Sequence, residues 1–275
     1  MLSHPSPVVR GYLVRHIAST WPEHTEALYA SLRDTTSVLT LEGCVGSPTT
    51  ISGLTMAALC QNVARTNASL RRAALDTTLD PAMRASAFRC PASSEAPYRT
   101  LAVTLLNEAE PTVRAAALHW FACTAQPSDL TRELPFATDA SAEARIATAS
   151  ALGRVASAEA LTALRVLLRD SDARVCTEAA RAMARQPATP QSELRSILEG
   201  PDFDAAVAVA SVGVCMQAPS ALLAAERVLR RPNETADSTQ LLDLALPWPP
   251  DAARMAVARR LLSSPRYLVA NRAIA

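Results

Sequence analysis

An arginine recurs at an almost fixed interval through the middle of this chain. Arg84, Arg114 and Arg145 are separated by 30 and 31 residues, and a further 31 lands on Cys176. The surroundings recur with it: "DPAMRASAFRC" (80–90), "EPTVRAAALHW" (110–120), "SAEARIATASA" (141–151) and "DSDARVCTEAARA" (170–182). A period this short is too small for a domain. Each copy is one supersecondary unit whose apolar face has to be covered by its neighbours. Asp80, Glu110 and Asp172 each stand four residues before the marked position. An acid there satisfies the orphan N–H groups of a helix start and favours the helix dipole. Pro81 and Pro111 suit a first helical turn.

A second, leucine-rich helix type alternates with the first, in "YRTLAVTLLNEAE" (98–110), "EALTALRVLLRDS" (159–171), "QSELRSILEG" (191–200) and "SALLAAERVLRR" (220–231). The unit is therefore a helix pair. Composition agrees: 49% of residues are hydrophobic but only 4% aromatic, so alanine and leucine carry the apolar content and favour helix over strand. Seven glycines are too few for many tight hairpins, and nineteen prolines must punctuate helices. The expected fold class is all-α.

The pattern D-x-x-V-R-x-x-A-A-x-A-L, alternating with a leucine-rich helix, resembles HEAT repeats, in particular the short bacterial type related to phycobilin-lyase repeats. "LTALRVLLRDSDARVCTEAARAMAR" (161–185) carries the resemblance best, and "EPTVRAAAL" (110–118) next. It covers roughly 67–217. The resemblance implies a right-handed α-solenoid of stacked antiparallel helix pairs, with the arginine-bearing helices on the concave side. It implies no activity. The expected organisation is one solenoid over 1–275, with an irregular portion at 1–66, regular repeats at 67–217 and divergent repeats at 218–275. "SPVVRGYLVRHI" (6–17) also resembles the arginine-bearing helix, with Arg10 in the marked place.

One segment breaks the helical pattern. Residues 34–55, "DTTSVLTLEGCVGSPTTISGLT", hold three of the seven glycines, many threonines and no arginine. "SVLTLEG" is expected to be a short strand or a helix end. The segment reads first as an insertion between helices and second as a loop for a partner or ligand. "GCVGSP" lacks the GK[ST] of a phosphate loop.

Chemistry is thin elsewhere. His16 and His24 are eight residues apart, too far on a helix to share a metal ion. No CxxC, HExxH or GxSxG motif occurs. No cofactor and no metal site is expected. The six cysteines are expected to be reduced thiols used as small core residues. All 27 basic residues are arginine, against 26 acids, and neither half of the chain is strongly basic. That balance disfavours a nucleic-acid partner. The N-terminus lacks the plan of a signal peptide and no apolar run is long enough for a bilayer, so the chain is expected in the cytoplasm and away from membranes.

The arginine ladder at 84, 114 and 145 is expected to tie repeats together by pairing with the capping acid or a neighbouring loop. A second ladder five residues on, Arg89, His119, Ser150 and Arg181, is polar in every copy, and Arg185 extends it by a turn. By the family resemblance it lies toward the concave face. Trp120 stands where the other copies have Cys90, Ala151 and Ala182. It reads as core filler, with an exposed binding aromatic as the sharper alternative. Arg89, His119, Trp120, Arg181 and Arg185 are the candidate partner-binding residues. The function expected is a non-enzymatic scaffold or adaptor that holds a protein or peptide. The alternatives are a HEAT-like DNA glycosylase or other nucleic-acid-binding solenoid and, on the repeat subtype alone, a chromophore lyase.

Overall fold

The computed structural model describes residues 3–42, 45–89, 96–124 and 126–215. The leucine-rich helix expected at 220–231 and the divergent repeats expected beyond 218 lie outside them. The chain divides into two compact units, Met1–Thr124 and Ala125–Ala275. Both are helical, and one two-stranded antiparallel hairpin occurs among the described residues.

In the first unit, α1 (Pro7–Thr20) leads into a 3-10 segment (Pro22–Arg33) and the strands β1 (Ser37–Glu42) and β2 (Val45–Thr50). Then follow α2 (Ile51–Gln61), α3 (Val63–Leu75), α4 (Pro81–Arg89), α5 (Ala96–Leu106) and α6 (Pro111–Thr124). The segment expected as an insertion is thus a hairpin, with Val38 opposite Thr49 and Thr40 opposite Ser47, running straight into a helix. Thr50 makes that switch possible: its hydroxyl accepts from the Gly53 amide at 3.0 Å and caps α2. Val38 folds inward against Val14, Leu28, Ile51 and Ala58, so one face of the hairpin closes the core between α1 and α2. Gly11 lies where α1 comes close to α2. A Cβ there would sit 3.3 Å from Leu54 Cδ1 and 3.4 Å from Ile51 Cδ1, so a larger residue would make these side chains give by a few tenths of an ångström.

In the second unit, Pro127 and Pro135 break the chain into short turns: two 3-10 segments (Pro127–Asp129 and Leu134–Thr138) around α7 (Leu130–Glu133). Regular pairs follow, with α8 (Ala142–Leu152), α9 (Ala158–Leu167), α10 (Ala173–Arg185), α11 (Gln191–Glu199) and α12 (Phe203–Cys215). α10 packs on α8 and on α12, while α9 and α11 pack against the members of that row which flank them. Leu152, Leu164, Leu167, Val175 and Met183 fill the core between α8, α9 and α10. Gln186 closes the row's edge by donating from Nε2 to the Leu152 and Val155 carbonyls, both at 2.6 Å, at the buried end of α8.

The capping acids act as expected at two starts. Asp80 Oδ1 accepts from the Ala82 amide at 2.8 Å, and Asp172 Oδ1 from the Arg174 amide at 2.9 Å. Arg174 bonds to Asp172 from its side chain as well as its backbone, and the carboxyl is lowered to about 2. The marked arginines reach farther than their own caps. Arg84 Nη2 meets Glu108 at 2.8 Å, and Arg145 grips Asp170 with Nε and Nη2 at 2.7 and 2.8 Å. At the fourth position Cys176 keeps a reduced version, its Sγ donating to the Asp170 carbonyl at 3.1 Å.

Cysteine chemistry corrects one expectation. Cys60 is disulfide-bonded, so the cysteines are not uniformly reduced thiols. Cys123 and Cys176 are free, the first exposed and the second buried.

Candidate functional site

Four residues of α1, Val8, Tyr12, Arg15 and Ser19, follow the i, i+4, i+7, i+11 spacing that puts side chains on one helical stripe. The stripe beside it, Gly11 and Val14, is buried. The outer stripe forms one wall of a groove of about 740 Å³. β1 forms the facing wall with Val38, Leu39 and Thr40, and α2 supplies the floor through Leu54 and Ala58. All of these elements belong to the first unit, so every described wall of the groove lies within it.

Exposure singles the groove out. Val8, Tyr12 and Leu39 are 68%, 67% and 66% exposed, although the chain buries most of its large apolar side chains. Scattered exposed apolar residues are ordinary; here three are gathered around one concavity. The His16 ring stacks on Tyr12 with centroids 5.8 Å apart and meets the edge of Trp21 at 4.8 Å. Thr20 Oγ1 lies 3.3 Å from His16 Nδ1. This row holds the Tyr12 ring in place. None of the described lining residues is acidic, whereas Arg15 is exposed at the rim.

A second cluster joins the 3-10 segment to the end of α3. The Arg72 guanidinium lies 3.7 Å from the Tyr29 ring centroid, and Asp76 accepts from Tyr29 Oη at 3.0 Å and from Arg33 at 2.5 Å. Thr78 bonds to Asp76 through its hydroxyl at 2.6 Å and its amide at 3.0 Å, and these contacts bring the carboxyl down to about 2. Desolvation first, then the bond to Asp76, raises the Tyr29 phenol above its ordinary value. The donors and acceptors here satisfy one another. The cluster is a structural tie.

The residues singled out from sequence fall elsewhere. Arg89 ends α4 and His119 lies on α6; both are exposed, and the two helices pack together. Arg181 and Arg185 lie on α10 in the second unit and share Glu178, Arg181 in a short ion pair and Arg185 at 3.6 Å. Their charge is partly spent within the helix. Trp120 is corrected as a binding aromatic: it is 7% exposed, with its ring 6.4 Å from Phe88, edge-on to Phe121 at 5.2 Å and beneath Arg99 at 5.5 Å. The ring is core filler.

Tyr12, Arg15 and Leu39 were not singled out from sequence. The signal available was the break in composition at 34–55, which carries Leu39, and the arginine-bearing pattern at 6–17, which carries Tyr12 and Arg15. Among the described residues no group of three or more His, Cys, Asp or Glu side chains could hold a metal ion. None of their helices is long and apolar enough to cross a membrane.

No family model and no curated protein matches the chain. Similar solved structures include an engineered protein from the Northeast Structural Genomics Consortium, 16% identical over 99% of this chain and 85% of that one, with a TM-score of 0.42. A second engineered protein from the same consortium is 22% identical over 74% of this chain and 93% of that one, with a TM-score of 0.33. Likeness at this level carries no statement about function.

Proposed function

We propose that this chain is a non-enzymatic interaction module of HEAT-like helix pairs that holds a protein or peptide partner. The observation that supports it best is the groove between α1, β1 and α2, where Val8, Tyr12 and Leu39 stand about two-thirds exposed around one concavity. Covering any one of them fully is worth about 1.5–3 kcal/mol, enough to make the groove the energetic centre of an interface. The ladder of Arg89 and His119 is the secondary surface in this reading. The nucleic-acid alternative loses its aromatic, because Trp120 is packed inside. A cytoplasmic location belongs to the same proposal, with the Cys60 disulfide as the observation that counts against it.

Affinity purification from the native host tests it with two variants. Tyr12→Ala with Leu39→Ser empties the groove, and Arg89→Ala with His119→Ala and Arg181→Ala strips the ladder. The proposal expects the first variant to lose the wild-type partners and the second to keep most of them. Retention of every partner by the groove variant overturns it.

A further inference from the structure

We infer that the groove takes an extended, acidic–apolar peptide as an added strand on β1. This rests on the interaction reading above and specifies the partner. Successive side chains of a strand point to opposite faces, and here Val38 turns into the core while Leu39 stands in solvent. Yet Val38, Leu39 and Thr40 all line the same groove. A groove touched by consecutive strand residues runs along the strand's edge rather than over one face. Among the described residues β1 is bonded to β2 on one side only, and no described residue of β2 lines the groove. The wall is therefore the unpaired edge of β1, whose backbone groups form a template for another strand.

The chemistry of the occupant follows from the other wall. A strand laid on β1 would present alternate side chains to Val8 and Tyr12, which calls for apolar residues at every second position. Arg15 stands at the rim of that same wall with no acid among the described lining residues, so an occupant of net negative charge, with carboxylates at its solvent-facing positions, is favoured by long-range charge. A helical occupant would leave the edge of β1 unused.

The probe is a fluorescein-labelled octapeptide alternating valine and glutamate, read by anisotropy on the full chain, with hydrogen exchange followed across 37–42. Three controls accompany it: the peptide N-methylated at alternate residues, a valine–lysine version, and a helical peptide of the same charge. Strand addition expects the valine–glutamate peptide to bind and to slow exchange in β1. It expects N-methylation and Tyr12→Ala each to weaken binding at least about tenfold, and Arg15→Glu to reverse the preference toward the lysine peptide. All these substitutions are at exposed positions, and an unchanged thermal transition verifies that the fold survives. Equal binding of the N-methylated peptide, or preference for the helical one, overturns strand addition and leaves the interaction module standing. No binding of any peptide overturns it too, and the module then falls only if the groove variant also keeps every host partner.

Discussion

Arg145 on α8 binds Asp170, twenty-five residues ahead, through two nitrogens, and reaches back through Nη1 to the carbonyls of Asp139 and Ala140 at 2.8 and 3.2 Å. Arg10 repeats the arrangement: Nε meets Asp34 at 2.8 Å, twenty-four residues ahead, and Nη1 reaches back to His4 and Pro5 at 2.7 and 3.1 Å. Arg84 meets Glu108 across the same span, and Arg114 Nη1 likewise reaches back to the carbonyls of Glu108 and Ala109 at 2.8 and 2.6 Å. One guanidinium thus ties the loop before its helix to the loop that comes a helix later. Arginine suits the role because its planar fork serves a carboxylate and two carbonyls at once. The thirty-residue period is this clamp written into sequence.

Removing a clamp should cost stability according to its burial. Arg84 is 3% exposed, and Arg84→Met is expected to cost about 3 kcal/mol or more by stranding Glu108. Arg145→Met is expected to cost about 1.5–3 kcal/mol. Arg165, in an exposed pair with Glu193, should cost less than about 1 kcal/mol as Arg165→Met. Urea unfolding of the three variants checks the order.

The Arg145 clamp also sets an acid limb. Its hydrogen bonds hold the Asp170 carboxyl below the ordinary range, against desolvation. A depressed carboxylate contributes stability that is fully present above its unfolded value of about 3.9 and is lost as pH falls through the folded value. Asp170→Asn should therefore be less stable than wild type at neutral pH, and the gap should close below about pH 4. A constant gap from pH 7 to 3 in denaturant melts would refute the assignment.

These clamps show why so much of the architecture was legible. Helix starts, capping acids and clamp arginines are local and repeat, so the helices at 81–89, 111–124, 158–167 and 173–185 could be read from spacing. The groove could not. Leu39 and Tyr12 look like ordinary core residues in sequence, and only the meeting of β1 with α1 shows that they stand exposed beside one groove. The hairpin carried no Asn-Gly or Asp-Gly turn to announce it. Trp120 failed differently: its counterparts are small, but Phe88, Phe121 and Arg99 come from three helices to enclose it.

Gly153 explains one of those small counterparts. A Cβ on it would lie 2.7 Å from the Ala182 methyl and 2.8 Å from the Ala182 backbone, where α8 ends against α10. Gly153→Ala is expected to destabilise by about 1–3 kcal/mol through this overlap. Ala182→Gly should recover only part of the loss, because it removes the methyl and leaves the backbone in the way. Full additivity of the two substitutions in thermal melts would contradict this close approach.

Thiol accessibility should sort the cysteines. Cys123 is exposed and should label first; Cys176 is buried, with desolvation and then nearby carboxylates raising its thiol, and should label only slowly. Cys60 should label after reduction alone. Mass mapping of alkylated peptides with and without reductant checks all three, and labelling of Cys60 in the native unreduced chain would refute the disulfide.

The most direct test of the groove is photo-crosslinking in the native host from a benzophenone amino acid at position 39. The same group at position 166, where Val166 is similarly exposed on α9 of the second unit, is the control. An interface at the groove predicts discrete adducts from position 39 that vanish when Tyr12 is replaced by alanine, and none of them from 166. No adduct from position 39, or the same adducts from both positions, would contradict it.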